Sequence, residues 1–176
     1  MGGWFNREKK AGIRGMSCME GEDAPYDPYY MYGNTSAGAS AISRWSNGYN
    51  NDFQARMDWS VTSSYSEANH HPVAVVNGDK TRKILHIRAD AGSTVKLNAN
   101  GSDDPDGDAL SYNWYFYDEP SSYDGTVSVR NSSSSSAEVT VPSGAINKSI
   151  HVILEVTDDG EPALTSYRRI IITAEE

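Results

Sequence analysis

The 176-residue sequence lacks several features that would point to a common function. Its one cysteine, Cys18, excludes an intrachain disulfide. No apolar run approaches the ~18–20 residues that a membrane-spanning helix needs. Lys and Arg number 15 against 24 Asp and Glu, for a formal net charge of −9. This balance argues against nucleic acid and anionic membranes as partners, and it is compatible with a neutral partner such as a polysaccharide.

The motifs of common catalytic sites are also missing. The sequence has no nucleophile elbow, Walker loop or zinc-protease helix motif. His70 and His71 would point apart in an extended chain, and no further zinc ligands lie at suitable spacing. We therefore expect a chain that is not an enzyme. The N-terminus has no signal-peptide pattern, so an exported parent protein would need a leader upstream of this chain.

Residues 1–70 contain no leucine, and the first leucine of the chain is Leu85. Aromatic and small residues dominate this segment and leave too little aliphatic surface for an independent core. We expect an irregular segment with a short helix near residues 51–60, capped by Asn51 or Asp52 and preceded by a break at Asn47–Gly48. Such a segment must pack on the C-terminal part, on a missing upstream domain or on a partner.

From residue 72 onward the hydrophobic pattern has a period of two, which is typical of strands with one buried and one wet face. About seven short strands separated by Asn, Asp, Gly and Pro turns predict a mainly β fold. The expected architecture is an immunoglobulin-like antiparallel β-sandwich over residues 71–176, with Trp114 in its core. The predicted strands are 72–76, 84–88, 95–99, 112–116, 127–129, 137–141, 150–156 and 170–172.

Two stretches of this half carry a resemblance to known modules. Residues 101–114 read GSDDPDGDALSYNW, and residues 154–160 read LEVTDDG. They resemble the polycystic-kidney-disease and bacterial cadherin-like modules, which are immunoglobulin-like sandwiches common in secreted polysaccharide-degrading proteins. The resemblance covers about 105 residues and supports the fold, whereas a fold by itself does not carry a function.

A narrower resemblance lies at the start of the sandwich. Residues 51–59 read NDFQARMDW and residues 68–72 read ANHHP, with Trp45 upstream. This pattern resembles a family of bacterial secreted proteins, described as cellulose-binding, in which a sandwich follows a nucleoside-hydrolase-like domain. The resemblance implies that residues 1–70 are the tail of that upstream domain and that the parent protein is secreted or periplasmic. The aspartate-rich calcium site of nucleoside hydrolases has no counterpart in residues 1–60.

Tyrosines are the candidates for carbohydrate binding, because flat rings stack on the CH faces of glucan chains. Tyr115 and Tyr117 alternate with core residues and should point outward. A denser cluster lies upstream: Tyr26, Tyr29, Tyr30 and Tyr32. The alternative is that aromatic residues pack the N-terminal segment on the sandwich, an interpretation favoured for Trp4, Trp45, Phe53 and Trp59.

Acidic turns supply the candidates for a structural calcium site. Alternating aspartates in a glycine-containing loop can provide the oxygen ligands that calcium prefers. Asp104, Asp106 and Asp108 are the predicted ligands, and Asp158 and Asp159 lie in a second acidic turn. The alternative is a solvated turn in which Asp and Gly only satisfy the backbone geometry.

These observations lead to one functional prediction and one alternative. We expect a non-catalytic module that binds cellulose or a related β-glucan. The alternative is a structural spacer or docking module for the upstream nucleoside-hydrolase-like domain.

Overall fold

The computed structural model describes residues 43–176. Clustering of contacts divides the chain into two units, Met1–Asn50 and Asn51–Glu176, and every strand of the described residues belongs to the second. No helix of residues 43–176 combines the length and apolarity needed to cross a membrane. The elements are α1 (Ser46–Val61), a 3-10 turn (Tyr65–Glu67), β1 (Leu85–Asp90), β2 (Thr94–Asn98), β3 (Ser111–Phe116), β4 (Val129–Arg130), β5 (Ser136–Thr140), a 3-10 turn (Ser143–Ala145), β6 (Ser149–Thr157) and β7 (Thr165–Glu175).

The strands form two sheets. The larger sheet has the order β1-β7-β6-β3, and the smaller has the order β2-β5-β4. All neighbouring strands are antiparallel except β1 and β7, which run parallel. Because residues of both sheets share one buried cluster, the predicted mainly β sandwich is confirmed.

The core between the sheets is built by alternate strand positions. In β6, Ile150, Val152 and Leu154 are fully buried, and Leu97 of β2 faces them from the other sheet as part of the same cluster. Burial of each such side chain is worth about 1.5–3 kcal/mol relative to exposure. Trp114 is 1% exposed, and its indole Nε1 donates to the carbonyl of Ser134 at 2.8 Å, so its predicted core position is confirmed.

The predicted first strand, residues 72–76, is wrong. These residues make only isolated bridges, such as Val73 with Asp103. Ala74 is buried, and its carbonyl accepts a hydrogen bond from the buried Arg168 guanidinium at 3.1 Å. A side chain of β7 thus supplies a hydrogen bond that a neighbouring strand would otherwise give, which is why alternation alone is misleading here.

The predicted start of the helix is also wrong. Helix α1 begins at Ser46 and runs through Asn47 and Gly48, so the expected break and the expected caps at Asn51 or Asp52 are absent. Both of the latter residues instead make tertiary contacts. Asn51 Nδ2 donates to the Ala163 carbonyl at 2.8 Å.

The aromatic residues of α1 have different environments. Phe53 is 64% exposed, so the interpretation that it packs on the sandwich is wrong. Trp59 is half-buried, and its Nε1 donates to the Asn69 carbonyl at 2.7 Å, as a packing residue should. Ala55 is the buried residue of this helix, and Tyr49, Met57 and Val61 are exposed like Phe53, so helical periodicity alone does not separate the two aromatic residues.

Candidate functional site

The outer face of the larger sheet carries aromatic and charged side chains in three rows across the strands. The strand register places Tyr115 opposite Ile153, and Ile153 opposite Arg169. The backbone amide of Tyr117 donates to the His151 carbonyl at 2.8 Å, so Tyr117 and His151 lie side by side in the next row. We call this set the outer band: Asn113, Tyr115, Tyr117, His151, Ile153, Glu155, Tyr167 and Arg169.

Alternation predicts the outward placement of Tyr115 and Tyr117, and the structure agrees with it. Both residues are half-buried, whereas Trp114 lies in the core and Phe116 packs against it. Successive outward residues of a strand are about 6.8 Å apart. Tyr115 therefore lies in β3 and Tyr117 directly follows its last residue, while Tyr167 lies two strands away on β7.

Glu155 organises one end of the outer band. Its Oε1 accepts the Tyr115 hydroxyl at 3.0 Å, and its Oε2 accepts Asn113 Nδ2 at 2.9 Å. The carboxylate also affects Tyr167, whose pKa is raised mainly by burial and further by the negative charge of Glu155. The side chains at this end are therefore oriented by hydrogen bonds, which lowers the cost of ordering them around a ligand.

His151 and Arg169 form the other end of the band. His151 is 6% exposed, and Nδ1 accepts a hydrogen bond from Arg169 Nε at 3.2 Å. An acceptor nitrogen carries no proton, so the imidazole is neutral in this arrangement. Burial, followed by the charges of Arg169 and His86, lowers the pKa of His151 to about 4. At neutral pH this end of the band therefore presents the single positive charge of Arg169.

The predicted metal ligands are brought together in the turn after β2. Asp104, Asp106 and Asp108 each place one carboxylate oxygen within 4.8 Å of the others. Asp104 is 6% exposed, and its Oδ1 accepts the backbone amides of Asp106 at 2.9 Å and Asp108 at 3.3 Å. Gly107 has φ 86°, a conformation that a side chain disfavours, so the glycine allows the chain to reverse here.

A second acidic turn faces the first. Asp158 is 4% exposed, and its Oδ1 accepts Asn69 Nδ2 at 3.0 Å and the Leu164 amide at 2.8 Å. The pKa of Asp108 is raised first by burial. Neighbouring carboxylates of both turns raise it further: Asp104 and Asp106 of the first turn, and Asp159 and Asp158 of the second. The negative charges of both turns therefore disfavour ionisation of Asp108.

The segment that joins α1 to the sandwich reaches the same acidic turns. The His70 ring stacks on Tyr65 with centroids 3.6 Å apart and lies parallel to Trp59 at 5.5 Å. The His70 backbone amide donates to Asp106 Oδ2 at 2.7 Å. His71 contacts Asp52 of α1, with Nε2 2.8 Å from Oδ1. We call the set Trp59, Tyr65, Asn69, His70 and His71 the junction.

Sequence reasoning finds His70 and His71 uninformative for catalysis and does not predict the contacts that they make in the junction. His70 and Asp106 are 36 residues apart, and nothing in either local pattern pairs them. Asn69 bonds residues that are 89 and 93 positions away, through the Asp158 carboxylate and the Pro162 carbonyl. The remaining predicted carbohydrate ligands lie outside the described residues: Tyr26, Tyr29, Tyr30 and Tyr32.

Gly160 lies where the junction meets the second acidic turn, and we expect Gly160→Ala to destabilise the protein. An added Cβ would overlap the Asn69 amide, which is held by its bonds to Asp158 and Pro162. Displacement of that amide would cost about 1–3 kcal/mol of unfolding free energy, to be measured by urea denaturation. The control is Gly144→Ala, where a Cβ meets nothing within 4 Å. Equal losses for both variants would contradict the prediction.

The sandwich matches one family model. Residues 94–174 match the C-terminal domain of the cellulose-binding protein Sde0182. A nucleoside hydrolase-related hypothetical protein from Saccharophagus degradans, associated with carbohydrate metabolism, is 55% identical, with a TM-score of 0.81. The match covers 93% of this chain and 39% of that one, so this chain spans about two fifths of its relative's length. The resemblance stated for residues 51–72 and 101–160 is confirmed.

Two more distant structures are also similar. The PKD domain from the KIAA 1837 protein is 21% identical with a TM-score of 0.38, over 53% of this chain and 82% of that one. Human CDH23 EC21–23 is 14% identical with a TM-score of 0.39, over 59% of this chain and 35% of that one. A search of curated proteins gave no match.

Proposed function

Because the sandwich is similar to the C-terminal domain of the cellulose-binding protein Sde0182, we propose that this chain is a non-catalytic module that binds cellulose or a related β-glucan. The outer band is the observation that supports this function. It combines tyrosine rings with hydrogen-bonding side chains on one face of a sheet. A secreted or periplasmic location of the parent protein is part of the same proposal.

The chemistry of the band suits a sugar chain. Tyrosine rings offer an apolar face for the CH groups of a glucan, while their edges and hydroxyl groups remain polar. Asn113, Glu155 and Arg169 supply the donors and acceptors that sugar hydroxyl groups need. The band carries one carboxylate and one guanidinium, so its local charge nearly cancels although the whole chain is at −9. A neutral polysaccharide meets no repulsion at such a surface.

We expect wild-type protein to partition onto insoluble cellulose and Tyr117→Ala to weaken that partition about tenfold. Loss of one stacked ring removes roughly 1–1.5 kcal/mol, and each 1.4 kcal/mol is a factor of ten in affinity. Tyr117→Phe keeps the ring and should bind within a few-fold of wild type. The measurement is a depletion isotherm on microcrystalline cellulose, with thermal unfolding to verify that each variant is folded.

The matched control is Tyr49→Ala, which removes a 48% exposed tyrosine of helix α1 outside the band. It should bind as wild type does. Wild-type protein that stays wholly in the supernatant would overturn cellulose binding. Equal losses for Tyr49→Ala and Tyr117→Ala would overturn the role of the band. A binding role for the upstream tyrosine cluster, Tyr26, Tyr29, Tyr30 and Tyr32, stays a prediction that the same assay tests.

A second function, a docking module for an upstream domain, is supported by the junction. Asn51, Asp52 and Trp59 of α1 bond Ala163, His71 and Asn69, so the helix is fastened to the end of the sandwich. The relative that this chain partly covers is nucleoside hydrolase-related. A protein that does not bind cellulose but stabilises a co-expressed upstream domain would favour the role of a docking module. Hydrolysis of a nucleoside or glucan by this chain would contradict both proposals.

A further inference from the structure

Helix α1 carries a row of exposed apolar side chains, which we call the apolar stripe: Tyr49, Phe53, Met57 and Val61. Each lies four residues after the one before, so the four share one side of the helix and cover about 120° of its surface. Their exposed fractions range from 48% to 82%. Single exposed apolar residues are normal on a protein surface, whereas a contiguous row of them marks an interaction site.

The opposite side of α1 is already attached to the rest of the described residues. Asn51, Ala55 and Trp59 are also four residues apart, and their row lies about 180° around the helix from the apolar stripe. Ala55 is fully buried, Asn51 donates to the Ala163 carbonyl, and Trp59 donates to the Asn69 carbonyl. A surface helix has one polar side, and apolar side chains on two opposite sides are typical of a helix between two packed layers. The sandwich supplies one layer, and the exposure of the stripe shows that residues 43–176 do not supply the other.

The composition of α1 favours a protein surface as the second layer. Met57 and Val61 have no flat ring that could stack on a sugar. Arg56 is the one basic residue of α1, whereas helices that lie on membranes carry several. Its guanidinium pairs with Asp52 at 2.8 Å, so the side of the helix next to the stripe presents a neutralised pair. The partner that fits the stripe is therefore an uncharged apolar protein surface.

Building on the proposed docking role, we propose that the apolar stripe is the surface on which the upstream domain of the parent protein packs. The family domain that the sandwich matches is C-terminal, and about three fifths of the Saccharophagus degradans relative lies outside the match. In a parent of this kind those residues precede the sandwich, so α1 lies between the two parts of the chain. A domain in the same chain has an effective concentration in the millimolar range, which favours it over a separate protein or a second copy.

Oxidation of Met57 by hydrogen peroxide measures whether the stripe is covered. Met57 is the single methionine of residues 43–176, so mass spectrometry of its peptide reports on this position. Sulfoxide formation requires access to the thioether, and we expect it to be about tenfold slower in the full-length parent protein than in this chain alone. Equal oxidation rates in the two proteins would overturn the proposal.

Phe53→Ser tests the stripe by the difference between its effects in the two proteins. In this chain alone the variant should melt within about 1 °C of wild type, because Phe53 is exposed and the two residues have similar helix propensities. In the full-length parent it should lower the melting temperature by about 4–8 °C, because a buried contact is lost. The matched control is Ile84→Ser, which removes an exposed apolar side chain outside α1 and should have little effect in either protein. A Phe53→Ser variant that is as harmless in the parent as in this chain would contradict the proposal.

Two further outcomes separate this surface from the docking role and from self-association. If this chain melts at the same temperature alone and in the parent, the docking role itself is wrong. If it melts higher in the parent and Phe53→Ser leaves that gain unchanged, docking stands and the stripe is not its surface. Sedimentation equilibrium of this chain should show a monomer at micromolar concentration, and a dimer that Phe53→Ser dissociates would make a second copy the occupant instead.

Discussion

Trp114→Ala is expected to lower the free energy of unfolding by about 3–5 kcal/mol, which is a large part of the ~5–15 kcal/mol that stabilises a domain. Trp114 is 1% exposed and belongs to the cluster that both sheets share, so its loss leaves a cavity where the sheets meet. It also removes the donor of a part-buried hydrogen bond to the Ser134 carbonyl. Urea denaturation followed by far-UV circular dichroism measures the loss.

Two further variants test the reason for this loss. Trp114→Phe keeps most of the ring volume but not the indole donor, so it should cost about 1–3 kcal/mol less than the alanine variant. Thr94→Ala changes an exposed position of β2 and should stay within about 0.5 kcal/mol of wild type. An alanine variant at Trp114 that unfolds within 1 kcal/mol of wild type would contradict the core position.

His151 is expected to make the protein less stable as the pH falls from about 6.5 to about 4. Its folded-state pKa lies near 4, below the ordinary value of 6.5, because burial and Arg169 disfavour the imidazolium. Between these values the unfolded chain takes up the proton and the folded protein does not, so unfolding is favoured by about 2–3 kcal/mol at the lower end. Well above pH 6.5, His151 is neutral in both states and the protein keeps its full stability. Stability falls as the pH drops through this window, and the loss from His151 levels off below about pH 4.

The measurement is the urea midpoint of wild type and His151→Gln at several pH values between 4 and 7.5. The variant cannot titrate, so its stability should fall less across the window. His86→Gln, an exposed histidine with a minor effect on His151, should keep most of the wild-type slope. The raised pKa of Asp108 has the opposite effect, because it favours the folded protein as the pH falls. The lowered pKa values of Asp52 and Asp79 reduce the stability of the folded protein only at lower pH. Equal slopes for wild type and His151→Gln would disprove the assignment.

Patterns of period two predicted most of the sandwich, because alternate positions of each strand face the core between the sheets. Ile150, Val152 and Leu154 of β6 follow this pattern, although His151 and Ile153 on the other face are buried as well. Residues 72–76 show a similar pattern, yet they form only isolated bridges, and the Ala74 carbonyl accepts a hydrogen bond from the side chain of Arg168, 94 residues later. Local periodicity cannot tell a ladder partner from a side-chain partner.

In the candidate sites, too, the sequence predicted contacts between residues close in the chain and missed those between distant residues. Asp104, Asp106 and Asp108 are close in sequence, so one turn brings them together and local spacing predicted it. The outward direction of Tyr115 followed from alternation, whereas its neighbours Glu155 and Arg169 depend on the register of β6 and β7. The buried oxygen of Asp158 depends on the fold of a distant loop, and no pattern in one sequence records it.

The position of β7 inside the larger sheet has a consequence for biosynthesis. β1 is made early, yet its partner is β7, which leaves the ribosome only after β2 to β6. During translation the smaller sheet can pair as soon as β5 emerges, while β1 exposes an unpaired edge until residues 165–175 arrive to fill the gap beside β6. The nascent chain is therefore most open to aggregation in the interval between these two events.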